Sequence, residues 1–296
     1  MSTAHVAVIG GSGFYQMDGL TDIEELRLET PFGPPSDAIV LGTLSGVRVA
    51  FLPRHGVGHR ILPSEVPFRA NVWALKSLGV ERVIAVSAVG SMREEMAPGH
   101  FVVPDQLIDH TKGRAGTFFG RGLVAHIAFD QPFCPELSDM LVESLESVRA
   151  TVHRDGAYIA VEGPAFSTKA ETGLYRSWGI SIIGMTALPE ARLAREAEIC
   201  YSTLAFVTDY DTWHEEHEPV SADMIIRMIL KSVTTARDVV RDVVGRLPAD
   251  RGCECGRALV KALITPLHLV PEETKRDLAP IIGKYVPAGA EAWHGR

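Results

Sequence analysis

The stretch RVIAVSA, residues 82–88, decides the fold, and it runs on through Val89 to Gly90 and Ser91. A nearly continuous apolar run that ends in glycine is typical of a strand buried on both faces of a sheet. Shorter runs of the same kind alternate along the chain with helical patterns. This alternation predicts an α/β fold in which a mixed central sheet is flanked by helices.

The other predicted elements lie on both sides of this strand. Strands are expected at residues 5–9, 101–104, 157–162, 180–184 and 201–207, and a hairpin at 38–43 and 47–53. Helices are expected at residues 68–78, 135–149, 169–178 and 189–197. After Ser221, a residue type that caps helices, a long helix keeps one apolar face. We therefore assign residues 1–247 to one domain and residues 248–296 to a C-terminal helical arm of the same domain.

The composition is that of an ordinary globular protein with a modest acidic excess. The 29 Lys and Arg residues against 37 Asp and Glu residues give a formal net charge of −8. The chain lacks the clustered basic residues of a nucleic-acid-binding surface. A short polar start leads directly into the first strand, and no apolar run is long enough to span a membrane. We expect a soluble cytoplasmic protein without nucleic-acid or membrane partners.

Glycine and polar residues follow nearly every predicted strand, at the edge of the sheet where α/β proteins bind ligands. They form the segments Gly10-Gly11-Ser12-Gly13, Arg54-His55-Gly56, Gly163-Pro164-Ala165-Phe166-Ser167, Met185-Thr186 and Thr208-Asp209-Tyr210-Asp211. Glycine, hydroxyl, cationic, aromatic and carboxylate groups together suit a small anion bound beside a flat polar ring.

Each of these groups also has a simpler interpretation. Gln16 stands where a dinucleotide fingerprint has its third glycine, and the Gly-Lys-Ser/Thr of a P-loop is absent, so the glycine loop alone favours a tight turn. An Arg-His pair is most often a surface pair, although the Arg54 guanidinium matches phosphate oxygens in shape. Asp209 and Asp211 alone are compatible with a solvated turn. Only the combination indicates a ligand site.

Neither the cysteines nor the histidines of the chain have the spacing of a metal site. Cys253 and Cys255 form a C-x-C pair with no second pair nearby, and Cys134 and Cys200 stand singly. Ordinary thiols are therefore favoured over a zinc or redox site. His214 and the histidine three residues later do not have the H-E-x-x-H spacing of a zinc protease. The sequence predicts no metal ion.

Taken together, the motifs resemble those of the methylthioadenosine phosphorylases of the trimeric purine nucleoside phosphorylase family. The matching segments are IGGSGF, TPFGPPSD, RHGVGH, ANVWALK, SAVGSMREE, EGPAFSTKAE, GMTALPEA and TDYDTW. They follow the family's order and spacing over about four-fifths of the chain. Each segment alone is weak, but the set is highly specific. The resemblance implies the family's fold, with inorganic phosphate as a co-substrate and no cofactor.

The resemblance also implies a role for each matching residue. The residues implied to surround phosphate are Ser12, Arg54, His55, Ser87, Ala88 through its backbone, and Thr186. Met185 is implied to contact the ribose, while Phe166 and Ser167 line the base pocket. Asp209 faces N7 of the purine as the catalytic acid, and Asp211 lies near the exocyclic amine. His126 is implied to reach a neighbouring subunit's site in a homotrimer or a dimer of trimers.

Two regions bear on the choice of nucleoside. The family's 6-oxopurine branch has Glu and Asn where this chain has Ser167 and Asp209, so the resemblance implies a 6-aminopurine. That branch also has a histidine for the ribose 5'-hydroxyl where this chain has Ala222, followed one turn later by Ile225 and Ile226. An apolar wall suits a methylthio group and leaves a hydroxyl unpaired.

The resemblance therefore implies phosphorolysis of S-methyl-5'-thioadenosine to adenine and 5-methylthioribose 1-phosphate. The small side chain of Ala222 keeps 5'-deoxyadenosine and bulkier 5'-thio nucleosides open as substrates, and methylthioinosine and inosine are the 6-oxopurine competitors. The residues also leave open a hydrolytic nucleosidase and a non-catalytic or redox nucleotide-binding protein. Arg54 with His55 argues against the former, and the missing dinucleotide fingerprint argues against the latter.

Overall fold

One mixed sheet forms the centre of the molecule. The computed structural model describes residues 3–11, 17–214 and 221–286, and within them eleven strands form this sheet. The strands are β1 (Val6–Gly10), β2 (Thr21–Leu26), β3 (Ile39–Leu44), β4 (Val47–Pro53), β5 (Arg82–Ser91), β6 (Phe101–Val103), β7 (Gln106–His110), β8 (Val152–Arg154), β9 (Ala157–Val161), β10 (Ile182–Gly184) and β11 (Cys200–Asp209). The predicted α/β fold with a mixed sheet is confirmed.

Strand β5 is the branch point of the sheet. One of its edges pairs in parallel with β11 along nearly its whole length. The other edge pairs with β1 at residues 82–85 and with the antiparallel strand β10 at Gly90 and Ser91. Within the described part of the chain, residues 86–89 face no strand on that second edge. The branch therefore leaves this stretch of β5, which includes Ser87 and Ala88, beside a gap between β1 and β10.

Helices cover both faces of the sheet. They are α1 (Phe68–Ser77), α2 (Pro135–Ser147), α3 (Lys169–Ser177), α4 (Ala187–Glu196), α5 (Ala222–Arg246), α6 (Glu272–Asp277) and α7 (Ala279–Ile282). Helices α1 and α4 share one buried apolar cluster with the C-terminal arm, whereas α2 and α5 share another. Among the described helices, none combines the length and the apolar character needed to cross a membrane.

Most predicted elements are present, with differences at their ends. The Ser221 hydroxyl caps α5 by accepting a hydrogen bond from the Met224 amide at 3.3 Å. Strand β11 continues two residues beyond its predicted end, so Thr208 and Asp209 lie in the strand instead of the following loop. Strands β2, β7 and β8 were not predicted. The edge strand β2 is almost wholly exposed and β8 has only three residues, so neither carries the apolar run used to identify strands.

The C-terminal arm closes against the main body of the chain. Leu259, Ile281 and Ile282 of the arm are buried in the same cluster as α1 and α4. The Trp73 indole of α1 donates a hydrogen bond to the Asp277 carbonyl at 2.8 Å. The arm also carries the C-x-C pair to Cys134 and Cys200, so the expectation that those two cysteines stand singly is wrong. Cys134, Cys200 and the C-x-C pair are far apart in sequence, and only the fold brings them together.

Candidate active site

A cavity of about 520 Å³ lies where the sheet branches. It is lined by residues that lie in or directly after six strands, β1, β4, β5, β9, β10 and β11, and by one face of helix α5. Of the predicted residues, the cavity is lined by Arg54, His55, Ser87, Ala88, Phe166, Ser167, Met185, Thr186, Asp209, Asp211 and Ile225. The strand ends converge because β1, β4, β5 and β11 are parallel neighbours.

One end of the cavity is polar, and the antiparallel strand β10 brings the segment that follows it to this end. Ile183 pairs with Gly90, so continuing the register brings Met185 and Thr186 back towards Ala88 and Ser87. The Ser87 hydroxyl is buried, and among the described residues it has no hydrogen-bond partner. A buried hydroxyl without a partner is costly unless a ligand completes it. Ser87 is therefore a natural contact for a polar ligand at this end.

Arg54 contributes a buried guanidinium to the same end. Its Nε and Nη2 atoms donate to the two carboxylate oxygens of Glu190, both at 2.8 Å, and Nη1 donates to the Val86 carbonyl at 3.1 Å. Burial opposes the charge, but the charge of Glu190 and its hydrogen bonds outweigh burial and raise the pKa of Arg54. Three of five N–H groups are thus used, and one on each terminal nitrogen remains for an anion.

His55 presents one ring nitrogen beside Arg54. Its Nδ1 lies 2.8 Å from the Ile61 carbonyl, which can only accept, so Nδ1 carries a hydrogen and Nε2 is an acceptor on the neutral ring. Burial, followed by the charge of Arg54, lowers the pKa of His55 to about 4. Neutral His55 can therefore accept a hydrogen bond from a protonated phosphate oxygen or a ribose hydroxyl at pH 7.

The opposite end of the cavity carries two buried carboxyl groups. Asp209 is 6% exposed, and it accepts hydrogen bonds from the Thr208 hydroxyl at 2.7 Å and from the Asp211 amide at 2.8 Å. Burial is the main cause that raises the pKa of Asp209, while these hydrogen bonds oppose it. A carboxyl group whose proton is retained to higher pH suits a general acid.

The backbone conformation of Asp211 and a hydrogen bond from Thr172 fix the position of its carboxylate. Its backbone has a positive φ of 51°, and its carboxylate accepts a hydrogen bond from the buried Thr172 hydroxyl at 2.7 Å. Burial raises the pKa of Asp211, and the nearby Asp209 adds to that rise. Phe166 is 41% exposed at the same end and offers an aromatic face to a flat ring. These groups form a slot with an acidic edge.

Helix α5 supplies an apolar wall to the cavity. The side chains on that wall are those of Ile225, Ile229, Leu230 and Val233. Of the three predicted wall residues, only Ile225 is among them. Ala222 lies at the exposed start of the helix, and Ile226 is 55% exposed about a quarter-turn away from Ile225. Helical spacing continues the wall towards Ile229 and Val233 instead.

Two other predicted site residues are not at the cavity in the single chain. Ser12 lies outside the described residues, although its neighbour Gly11 lines the cavity. His126 is exposed on a loop, where its amide donates to the Ala262 carbonyl of the arm at 2.8 Å. Of the histidine pair considered as metal ligands, His217 also lies outside the described residues, and His214 contacts Glu94 at 3.0 Å.

Four residues of the site were not predicted from the sequence. Glu190 neutralises Arg54, Thr172 positions Asp211, and Arg237 of α5 lines the cavity. Arg114 donates to the Met185 carbonyl at 2.6 Å and to the Glu162 carbonyl at 2.8 Å, so it ties together the segments that follow β9 and β10. Glu190 and Thr172 lie inside the quoted segments GMTALPEA and EGPAFSTKAE or directly beside them, but their partners are distant in sequence.

Gly90 gives the first mutational prediction, because it has no room for a side chain. A Cβ atom there would lie 2.9 Å from Asp209 Oδ1 and 3.0 Å from Ile183 Cγ2. We expect Gly90→Ala to displace the Asp209 carboxyl. If this carboxyl is the catalytic acid that the family resemblance implies, kcat should fall by about 100-fold, since small misplacements of a catalytic group are that costly. Gly173→Ala on α3, where a Cβ meets nothing within 4 Å, is the control and keeps full activity. Steady-state kinetics would decide, and equal activity of both variants would contradict the prediction.

Comparison with known proteins places this geometry in a family. The profile of the phosphorylase superfamily matches residues 5–245, which include the whole cavity lining. The chain belongs to the phosphorylase superfamily. Among superfamily members, it is 57% identical over 282 residues to the S-methyl-5'-thioadenosine phosphorylase of Geobacter sulfurreducens, covering 95% of this chain and 99% of that protein.

Solved structures of phosphorylases superpose on the same fold. A methylthioadenosine phosphorylase from an Antarctic soil metagenomic library matches with a TM-score of 0.91 and 48% identity, over 95% of this chain and 99% of the other. A variant adenosine/methylthioadenosine phosphorylase from Schistosoma mansoni, solved in complex with methylthioadenosine, matches with a TM-score of 0.81 and 35% identity, over 87% and 96% of the two chains. The fold predicted from the sequence resemblance is therefore confirmed.

Proposed function

We propose that this chain catalyses the phosphorolysis of S-methyl-5'-thioadenosine, giving adenine and 5-methylthioribose 1-phosphate. The observation that carries the proposal is the polarity of the cavity. A cationic and hydroxyl-lined end, with Arg54 and Ser87, lies across from two buried carboxyl groups, Asp209 and Asp211. Relatives that share about half of their residues with this chain bear the name of this activity.

The polar end is suited to hold phosphate for attack on the ribose. The remaining N–H groups of Arg54 and the hydroxyls of Ser87 and Thr186 donate to its oxygens, and the Ala88 amide lies on the open edge of β5 beside them. Met185, which directly precedes Thr186 in the chain, covers the ribose. As the bond from C1' to N9 lengthens, positive character develops on the ribose, and a phosphate oxygen forms the new bond to C1'. Fixing both reactants in line supplies much of the rate.

The leaving base requires a proton at N7, which Asp209 supplies. The electron pair of the C1'–N9 bond passes to the purine, and the Asp209 proton moves to N7. The Thr208 hydroxyl lies 2.7 Å from Asp209 Oδ2 and 3.2 Å from the Val89 carbonyl, and its one hydrogen serves one acceptor at a time. It can therefore turn to Val89 when Asp209 Oδ2 is protonated. Asp211 accepts from the exocyclic amine, which favours adenine over a 6-oxopurine.

The wall formed by Ile225, Ile229, Leu230 and Val233 receives the 5' substituent of the ribose. It offers only apolar surface, so it suits a methylthio group and leaves a 5'-hydroxyl without a partner. The same wall also suits 5'-deoxyadenosine, which is the second candidate substrate.

A polar substitution in the wall should change the substrate preference. We expect Ile229→Ser to lower the ratio of kcat/KM for S-methyl-5'-thioadenosine to kcat/KM for adenosine by about 10-fold, the scale of discrimination by small apolar contacts. Ile226→Ser is the matched control, because Ile226 lies on the same helix but does not line the cavity. Kinetics with the two nucleosides measure the ratio, and an equal change in both variants would argue against this wall.

The oligomer proposed from the family resemblance is a homotrimer or a dimer of trimers. Its support here is a unit made of the His126 loop and the arm, joined by a β-bridge between Ala125 and Leu263. Val124 and Ile264 on this unit are 46% and 59% exposed, as expected for a surface covered by another subunit. Light scattering should give a multiple of three chains, and a monomer with full activity would exclude a shared site.

A substrate panel tests the proposed function as a whole. Adenine release would be followed with S-methyl-5'-thioadenosine, 5'-deoxyadenosine and adenosine, and base release with methylthioinosine and inosine, each at saturating phosphate. We expect the highest kcat/KM for S-methyl-5'-thioadenosine and the lowest for inosine. A preference for methylthioinosine or inosine would contradict the roles of Asp209 and Asp211.

A further inference from the structure

All four cysteines of the chain meet at one place, where the arm contacts the main body. Cys134 is the N-cap of α2, Cys200 is the first residue of β11, and Cys253 and Cys255 lie in the arm. Their Sγ atoms all lie within 4.8 Å of one another. Cys134, Cys200 and Cys255 are buried and Cys253 is half-buried. None of these residues belongs to the candidate active site.

The spacing of the sulfur atoms is close to that of a tetrahedral metal site. Cys253 Sγ lies 3.3 Å from Cys200 Sγ and 3.7 Å from Cys134 Sγ. Four thiolates bound to Zn²⁺ at about 2.3 Å have neighbouring sulfurs about 3.8 Å apart. One sulfur that approaches two different partners is expected around a shared ion, whereas a disulfide pairs each sulfur with a single partner. The donor set also fits, since soft thiolates in a tetrahedron select zinc.

The surroundings can balance the charge of such a site. Four thiolates around one Zn²⁺ carry a net charge of about −2. The Arg251 guanidinium, two residues before Cys253, donates to the carbonyl of Glu198, two residues before Cys200, at 2.8 Å, so a cation lies beside the cluster. A cavity of about 400 Å³ beside Cys134 and Cys200 provides an entry path for the ion.

We propose that Cys134, Cys200, Cys253 and Cys255 bind one structural Zn²⁺ ion. All four ligand positions are filled by protein, which is the arrangement of structural and not catalytic zinc. Two ligands come from the main body and two from the arm, so the ion fastens the arm to the start of α2 and β11. The site is independent of the proposed phosphorolysis, because it shares no residue with the active-site cavity.

Metal content of the full-length protein tests this site. The protein would be produced in zinc-supplemented medium and purified with a phosphine reductant and without chelator, and its metals would be measured by plasma mass spectrometry. We expect about one zinc per chain in the wild type. Cys200→Ser and Cys255→Ser should lose it. Ser138→Ala is the matched control, since Ser138 lies one turn after Cys134 and its hydroxyl, which the change removes, is bonded to the Ser202 hydroxyl and not to a cysteine sulfur.

Two further measurements keep the test decisive if a cysteine variant fails to fold. Titrating the wild type with a mercurial reagent should release its zinc to a chromophoric chelator as four thiols react. Replacing zinc by Co²⁺ should give the intense visible bands of a tetrahedral tetrathiolate. Reduced protein that binds neither ion, zinc retained in folded Cys255→Ser, or an unreduced mass showing two disulfides in protein isolated from the cytoplasm would each overturn the proposal.

Discussion

Replacing Asp209 by asparagine lowers kcat for S-methyl-5'-thioadenosine by about 10²- to 10⁴-fold if its carboxyl protonates N7, the range that general acids contribute. Asparagine preserves the shape of the side chain. Its carbonyl oxygen can accept from the Asp211 amide, and its NH2 group can donate to the Thr208 hydroxyl, which then turns to the Val89 carbonyl. It has no acidic proton to give. The KM for phosphate should change little, because Asp209 lies away from Arg54 and Ser87. Steady-state kinetics at varied phosphate separate the two effects.

The pH profile and a control variant give this prediction further specificity. Only the protonated carboxyl can donate, so kcat of the wild type should fall as pH rises through the Asp209 pKa. Burial raises that pKa, and the fall therefore occurs at a higher pH than for an exposed aspartate. Asp223→Asn, on the exposed first turn of α5, should retain wild-type kinetics. Unchanged kcat in Asp209→Asn would remove Asp209 from the mechanism.

The second large effect is expected at the buried pair of Arg54 and Glu190, whose side chains are 3% and 1% exposed. Glu190→Gln leaves the Arg54 charge buried without its counter-ion and should lower the free energy of unfolding by about 3–5 kcal/mol. Arg54→Met should do the same to Glu190 and also raise the KM for phosphate by about 10- to 100-fold, the worth of a charge-assisted hydrogen bond. Chemical denaturation and kinetics measure the two quantities.

The effect of phosphate on the melting temperature should differ between the Glu190 and Arg54 variants. In Glu190→Gln, bound phosphate can replace the missing negative charge, so phosphate should raise the melting temperature more than it does in the wild type. In Arg54→Met, phosphate should have little effect on melting. The double variant with methionine at both positions removes both charges and should cost less stability than the two single changes summed. An unaltered KM for phosphate in Arg54→Met would show that the anion binds elsewhere.

The sequence predicted much of the fold because the central strands carry unambiguous patterns. Strand β5 and helix α5 are long and strongly apolar on the buried side, so their positions were predicted closely. The exposed edge strand β2 has no such pattern, and the short strand β8 depends on pairing with β6. The branch at β5 was also beyond prediction, since strand order is decided by tertiary contacts and not by periodicity.

The lining of the cavity was predictable where a lining residue lies within a recognisable motif. Arg54 and Thr186 follow strands, Ser87 lies within β5, and the structure brings all three to one cavity. Residues that act through another side chain carry no such signal. Glu190 resembles an ordinary helical glutamate until the fold places it against Arg54, and the four cysteines meet only because the arm folds back.

The apolar wall from α5 shows a different limit of prediction from the sequence. The helical spacing of α5 was recognised, but the sequence could not tell which part of its apolar face meets the cavity. Ile225 meets it, while Ala222 lies before the cavity begins and Ile226 turns outwards. The contact starts later along the helix, because the cavity sits over the ends of β5 and β11. Packing geometry, and not residue type, decides this boundary.

The central claim is that an anion held at Arg54, Ser87 and Thr186 is the nucleophile for a nucleoside whose base lies at Asp209. The most direct test is adenine release from S-methyl-5'-thioadenosine with phosphate-free enzyme and with added phosphate, with the sugar product identified by mass spectrometry. The account predicts release only when phosphate is present, with 5-methylthioribose 1-phosphate formed in equal amount to adenine. Equal release without phosphate, yielding free 5-methylthioribose, would mean that water is the nucleophile and would contradict the account.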